Sequence, residues 1–383
     1  MMAGGKGTRL RPLTLVRPKP MIPLVNKPII KYTVDRLSKF GFKDIIMTLN
    51  YMSTHIKNYF KDGSRFGVDI KYSVEKWPLG TGGSVKKAEK YIDDTFMVVS
   101  GDVLTDVDFK DVLKFHKEKG ALATMVLTEV EDPSHFGIAV MDKENKITEY
   151  LEKPSPEEAF SNVANTGIYI FQPEIFDFFE KEEGNEEVDF SKDIFPEIIK
   201  KDAGIYGYVF NGYWNDVGRP ESFMQATYDI LDQKMEQSFY KSKIEEGVGK
   251  IGNIWVGENV AIDKKARIEG PVVIGDNCNI EKGCKISRGS VIGDNVSIGK
   301  DVKVDGSVIL SDSIIEDNSF LSECIIDTKC LIDKNTILES GVVAGSLVEI
   351  GENSIVRSSR SISNNMKILP GSIIDTDYKM EAK

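Results

Sequence analysis

Two patterns of apolar spacing divide the chain near residue 250. Before that point, runs rich in Ile, Val, Met and Thr at 44–49, 70–74, 96–100 and 121–130 predict strands. Between them, 29–40, 53–60, 84–91 and 112–119 place apolar residues three or four apart, the spacing of a helix with one buried face. Strand and helix alternating in this way predict an α/β sheet covered by helices, with ligands gathered where strands end in loops. A last helical pattern begins at Pro220, and the polar stretch that follows reads as a linker.

After residue 250 the period becomes six. A ladder from Ile254 through Val260, Ala266, Val272, Cys278, Cys284, Ser290, Val296, Val302 and Val308 continues through Ile314, Phe320 and Ile326 to Ile368, and Ser290 is its one polar member. A second ladder, two residues on, runs from Val256 to Val304 and loses register after Leu310. Neither a helix nor an ordinary strand holds a six-residue period, which describes one flat face of a parallel β-helix. Gly257, Gly275, Gly293 and Gly299 follow second-ladder residues, where turns between faces are expected to need a permissive backbone. The predicted organisation is a domain over 1–235, a linker over 236–250, a β-helix over 251–371 and a tail over 372–383.

Composition narrows the function. Sixty acidic against forty-nine basic residues give a net charge of −11, which argues against a nucleic-acid-binding face. No apolar stretch approaches the ~20 residues that span a bilayer, and the opening residues lack the apolar core of a signal peptide. The four cysteines follow the hexapeptide spacing and match neither a disulfide framework nor a zinc motif. The chain reads as soluble, reduced and cytoplasmic.

The chemistry is concentrated at the amino terminus. Gly4-Gly5-Lys6-Gly7-Thr8-Arg9-Leu10-Arg11-Pro12 is a glycine-rich loop carrying cations. Backbone amides of such a loop approach phosphate oxygens closely while Arg and Lys neutralise charge. It is not a Walker A loop, since Lys6 is followed by glycine. In Arg17-Pro18-Lys19-Pro20 the flanking prolines restrict the backbone around Lys19 and hold its ammonium in one direction.

This opening resembles the signature of the sugar-1-phosphate nucleotidyltransferases. Further motifs agree in order: Pro78-Leu79-Gly80-Thr81-Gly82-Gly83, Ser100-Gly101-Asp102, Glu152-Lys153-Pro154, Asn165-Thr166-Gly167 and Trp214-Asn215-Asp216-Val217-Gly218. With the hexapeptide tail, the similarity spans nearly the whole chain, and its layout looks most like that of mannose-1-phosphate guanylyltransferases. The resemblance implies a Rossmann-like nucleotidyltransferase domain followed by a left-handed parallel β-helix. The implied reaction joins a nucleoside triphosphate to a sugar-1-phosphate with release of pyrophosphate. It further implies Mg²⁺ held by Asp102 and Asp216, a nucleotide site at Gly4, Gly5, Gly7, Thr8 and Gly80, and charge neutralisation by Arg9 and Lys19. Gly137, Glu152, Lys153 and Asn165 would bind the sugar phosphate. Glu75 matches a position facing the base, where a carboxylate accepts the adjacent N–H groups of guanine, so GTP is the expected donor. Self-association through the β-helix is expected, with no nucleic-acid or membrane partner.

Three other readings are open. Glucose-1-phosphate or N-acetylglucosamine-1-phosphate activated with UTP, dTTP or ATP needs the same motifs. An added acyl transferase in the β-helix would need a histidine there, and all three lie before residue 136. A regulatory paralogue has no need of Arg9, Lys19, Asp102 and Asp216, all present here. One departure from the family concerns the start. Members open with an apolar strand ahead of the glycine loop, whereas only Met1-Met2-Ala3 precede Gly4. Either the recorded start is late, or the fold is less secure by ~4 buried side chains at ~1.5–3 kcal/mol each.

Overall fold

A computed structural model describes residues 1–179, 187–235, 242–243 and 249–378. It divides into two compact units. One comprises residues 1–6 and 29–216, and the other 7–28 and 217–383. The sequence reading draws one break at 236–250. The structure instead groups most of the amino-terminal signature with the β-helix, and the expected linker lies largely outside the described residues.

The first unit is a layered α/β structure. Its strands are β1 (Asp44–Leu49), β2 (Asp69–Val74), β3 (Phe96–Val99), β4 (Leu104–Thr105), β5 (Ala123–Glu129), β6 (Gly137–Met141), β7 (Ile147–Glu152), β8 (Val163–Phe171), β9 (Ile205–Val209) and β10 (Trp214–Asn215). β1 and β2 pair in parallel, β8 lies antiparallel between β3 and β5, and β9 runs parallel to β5. The antiparallel β6–β7 hairpin joins β8 through Ile138 and Ala164. Helices α1 (Ile29–Phe40), α2 (Ser53–Phe60), α3 (Gly80–Ala88) and α4 (Phe109–Lys119) follow the spacing read from the sequence, although α3 begins four residues earlier than expected. Glycine runs weaken helices, but here packing demands them. The Gly82 and Gly83 amides donate to the Val188 carbonyl at 2.9 and 3.0 Å, and a Cβ on Gly82 would press on Phe179 at 3.2 Å.

Met1–Ala3 fill part of the slot between β1 and β3. Met2 bridges both Thr48 and Ser100 in parallel, with Met2 N–H donating to Val99 and Ala3 N–H to Thr48. These residues thereby join two strands that share no ladder. Beside them lies a cavity of about 230 Å³ lined by Met1, Ile45, Val85, Met97 and Leu113 among others. The Met1 ammonium donates to the Ile46 carbonyl at 2.8 Å, and burial pulls its pKa down to about 5.

His116, on α4, is fully buried, with Nδ1 at 2.9 Å from Thr124 Oγ1 and Nε2 at 2.9 Å from Gln172 Nε2. Burial lowers its pKa from 6.5 to about 4. The unfolded chain then takes up a proton that the folded state refuses as pH falls from 6.5 toward 4. Stability should decline through that window by up to about 3 kcal/mol. Urea midpoints measured between about pH 4.5 and about pH 7 should show this slope, and His116→Gln should flatten it.

The second unit carries the β-helix, in three stacked sheets of eight, eight and seven strands among the described residues. Inward pairs such as Cys278/Ile280, Cys284/Ile286 and Val296/Ile298 stack into one continuous apolar core. Successive coils repeat every eighteen residues at first, as Asn279 pairs with Ser297. Two coils then shorten to seventeen, shown by Val291 against Val308 and Val308 against Ile325, before eighteen returns at Val343. This explains the lost register after Leu310. One residue is missing at the turn after Val304, and another at the turn after Leu321. The six-residue ladder drawn through Ile314 and Phe320 is thereby corrected: both face outward, at 44 % and 36 % exposure, while Ser313 and Ser319 are buried. The solenoid also runs past the expected limit of 371, since Ile373–Ile374 pairs with Ile355–Val356.

The glycine assignment needs correction too. The left-handed residues of these four turns are Asn259, Asn277, Asn295 and Asp301, with φ of 56–57°, a conformation that Asn and Asp tolerate. Gly257, Gly275, Gly293 and Gly299 are needed for a different reason, because a Cβ there would meet the next coil's backbone at 2.5–2.8 Å. The four cysteines are free and buried, and desolvation raises their thiols to about 11 for Cys278 and Cys284 and about 12 for Cys324 and Cys330. They pack and do not react.

Candidate functional site

In the first unit the chain leaves β3 into Ser100-Gly101-Asp102 and returns along β4. The Ser100 hydroxyl donates to Asp102 Oδ1 and fixes that carboxylate. β4 pairs antiparallel with β10, Thr105 facing Trp214 and Leu104 facing Asn215. Asp216 follows the last pair of this ladder, and Asp102 stands two residues before Leu104. The ladder joins the two segments that carry Asp102 and Asp216, and both residues are half-buried. Trp214 is pinned by its indole N–H on the Thr166 carbonyl at 3.1 Å and by the Phe136 ring at 5.1 Å. The carboxylates are hard oxygen donors of the kind that Mg²⁺ takes, one or two at a time.

A second cluster forms where the β6–β7 hairpin meets β8. Gly137 and Glu152 are cross-strand partners. Glycine is required at 137, since a Cβ would collide with the Tyr150 hydroxyl and stand 2.6 Å from Glu152 Oε2. Glu152 accepts from Tyr150 at 2.9 Å through Oε2 and pairs with Lys153 at 3.0 Å through Oε1. Lys153 lies mostly in solvent, on a backbone with φ of 49°. The Asn165 amide donates to the hydroxyls of Tyr150 at 3.1 Å and Tyr169 at 2.9 Å, and Tyr150 reaches Ser191 at 3.0 Å. Gly137, Glu152, Lys153 and Asn165 therefore belong to one network. Burial raises the pKa of both tyrosines, which keeps them neutral donors. Sequence reasoning missed Tyr150, Tyr169 and Ser191. Tyr150 lay two residues from Glu152, on the same face of a strand, and period-two alternation would have found it.

Glu75 follows β2 directly, and its backbone N–H donates to the Leu49 carbonyl at 2.8 Å. Its side chain is buried, with Oε1 left without a hydrogen-bond partner. Desolvation raises its pKa, offset in part by hydrogen bonds from Ser84 and the Leu79 amide. An orphaned carboxylate oxygen is costly unless a ligand satisfies it. Gly80 opens α3 with φ of 74°, and a Cβ there would run into the Val188 backbone. Gly4 lies against Asn50, and its carbonyl accepts from the Tyr51 amide at 3.4 Å, while Gly5 is exposed with no neighbour within 4 Å of a Cβ.

The second unit holds Gly7, Thr8, Arg9 and Lys19. Gly7 is left-handed at φ 60°, and the Thr14 hydroxyl donates to its carbonyl at 2.9 Å. A Cβ on Gly7 would stand 2.8 Å from Lys19 Cβ, so the absence of a side chain lets the loop close over the lysine stem. Thr8 and Arg9 are exposed on a short 3₁₀ turn, and Lys19 is buried at the start of another.

Residues 1–233 match the nucleotidyl transferase family, and residues 251–356 match the LbH domain of the EIF2B epsilon subunit. A mannose-1-phosphate guanyltransferase of Candida albicans is 34 % identical over all of this chain and 98 % of its own length. That of Debaryomyces hansenii is 35 % identical at the same coverage. A UTP–glucose-1-phosphate uridylyltransferase of Synechocystis is 37 % identical over 71 % of this chain and 72 % of its own. Among solved structures, HddC from Yersinia pseudotuberculosis complexed with GMP-PN aligns at a TM-score of 0.50 and 27 % identity, over 59 % of this chain and 95 % of its own. No helix among the described residues is long and apolar enough to cross a membrane. The chain is an enzyme of the nucleotidyl transferase family, with a catalytic α/β domain followed by a left-handed β-helix.

Proposed function

We propose that this enzyme transfers a guanylyl group from GTP to mannose-1-phosphate, using Mg²⁺. The likeness to two mannose-1-phosphate guanyltransferases over the entire chain carries this reading. The orphaned Glu75 carboxylate supports guanine as the base.

The sugar phosphate has a second pKa near ~6 and is largely dianionic at neutral pH. One of its oxygens attacks the α-phosphorus of GTP. A new P–O bond forms as the bond to the β-phosphate breaks, and pyrophosphate leaves with the electron pair. No general base is required, so the residues act by positioning and by neutralising charge. Amides of Gly4, Gly5, Gly7 and Thr8 cradle the triphosphate, and Gly80 leaves room beside the nucleotide. Arg9 and Lys19 offset charge developing on the leaving group. Lys153 receives the sugar phosphate, and Glu152, held by Tyr150, accepts from sugar hydroxyls beside Asn165 and Gly137. Asp102 and Asp216 would hold Mg²⁺, which supplies charge neutralisation across the phosphates.

The Synechocystis relative favours a second reading, uridylyl transfer to glucose-1-phosphate. Pyrophosphate release measured with GTP, UTP, dTTP and ATP against mannose-, glucose- and N-acetylglucosamine-1-phosphate decides between them. The first reading expects the highest kcat/KM with GTP and mannose-1-phosphate, and a maximum at UTP and glucose-1-phosphate would replace it. Gel filtration would test the expected homo-oligomer, and fractionation its cytoplasmic location.

A further inference from the structure

The β-helix buries a charged side chain at one corner. Each coil turns after an inward apolar residue, and the amide of the corner residue donates to the next coil, as Gly257 does to Ile274 and Gly275 to Ile292. Followed upward, this column reads Gly257, Gly275, Gly293, Leu310, Asp327, Gly345. Four of these are glycine, because a Cβ would strike the coil above. Leu310 and Asp327 depart from that rule, and Asp327 buries a carboxylate completely. An isolated buried charge is expensive, so a residue of this kind at a crowded corner needs a partner.

Its partner is Arg17. Nη1 donates to Asp327 Oδ1 at 2.6 Å, and Nη2 reaches Thr328 Oγ1 at 3.0 Å and Ser346 Oγ at 3.5 Å. The guanidinium therefore spans two successive corners of the solenoid, a reach that one point charge lacks. Asp327 Oδ1 also accepts from the Thr328 amide, while Oδ2 has no partner. The Arg17 side chain is itself 12 % exposed. Further along the segment, the Asn26 amide donates to the Ile292 carbonyl at 2.7 Å, so residues 17–26 are tied to the same edge at two points.

Arg17 stands two residues before Lys19, and Pro18 and Pro20 stiffen the connection. We propose that Arg17 and Asp327 form a latch through which the β-helix sets the position of Lys19, making both of them positioning residues for the triphosphate. This rests on the reading that Lys19 grips the triphosphate. Neither residue touches substrate. A β-helix that only thickened the protein or joined subunits would have no use for a charged corner at this coil.

Three variants of the full chain test the latch: Arg17→Met, Asp327→Gly and the double replacement. Glycine is the column's own residue, so the double variant carries no uncompensated charge and should regain the melting temperature that Arg17→Met loses. Its kcat/KM for the triphosphate should stay lowered by about tenfold, since a displaced Lys19 offsets less of the charge that develops on the leaving group. Hydrogen exchange at Met21 and Ile22, whose amides close the turn over Lys19, should quicken in all three variants. A double variant with wild-type kcat/KM would overturn the proposal, as would unchanged exchange. Should the unaltered enzyme release no pyrophosphate from any triphosphate, the functional reading fails while the exchange data still judge the latch.

Discussion

Asp102→Ala will cut pyrophosphate release by about 10³-fold, on the order of 4 kcal/mol of transition-state stabilisation, without unfolding the chain. Position 102 is half-buried at the end of a short loop, and its carboxylate is held by a hydroxyl from its own loop. Alanine there removes a charge without opening a core cavity. In the proposed reaction the negative charge of two phosphate groups must be brought together and then spread onto pyrophosphate. A divalent ion is the largest local source of compensation. Asp216→Ala should behave alike, because in the proposed site both carboxylates serve the same ion. The double variant should lose little more than either single one, since residues serving one ion are not additive. The check is steady-state pyrophosphate release across a Mg²⁺ titration. Both single variants should show a raised metal requirement, and wild-type turnover in either would remove the metal from the mechanism.

How much of this was legible in the sequence depends on what each feature needs. The hexapeptide period was visible because every coil repeats the same inward pair, and the glycine loop because its residue types are unusual together. α1 and α2 were legible to the residue, each being a single amphipathic stretch. The β6–β7 hairpin, β8 and β9 were not anticipated. Val163–Phe171 packs on both faces and carries Asn-Thr-Gly in its middle, where the register to β5 shifts. Such a strand has neither clean alternation nor an apolar run. The segments that carry Asp102 and Asp216 are joined by a two-residue ladder between β4 and β10, too short to leave a pattern. The pairing of Arg17 with Asp327 lies 310 residues apart in sequence. A local reading found Arg17 only as a neighbour of Lys19, and it found the shortened coils only as lost register. What escaped was long-range pairing, which periodicity does not encode.

Glu75→Gln should then change which base the enzyme prefers. The wild-type carboxylate is buried, and Oε1 has no partner within the protein. Guanine presents N1–H and an exocyclic amino group side by side, so an ionised carboxylate can accept both. A glutamine offers one acceptor and one donor, and its NH₂ then faces a donor on the base. Such a mismatch in a desolvated pocket costs about 1–3 kcal/mol, or about 10–100-fold in kcat/KM for GTP. Uracil alternates acceptor and donor, which the amide matches better than the anion, so kcat/KM for UTP should rise relative to GTP. The pH dependence gives a second sign. Burial raises the Glu75 pKa above the ordinary glutamate range, and only the ionised form accepts twice. Affinity for GTP should therefore weaken as pH falls toward that raised value, and this acid limb should be missing from Glu75→Gln. Parallel GTP and UTP kinetics at several pH values would measure both effects. An unchanged GTP-to-UTP ratio with the acid limb intact would move base recognition away from Glu75.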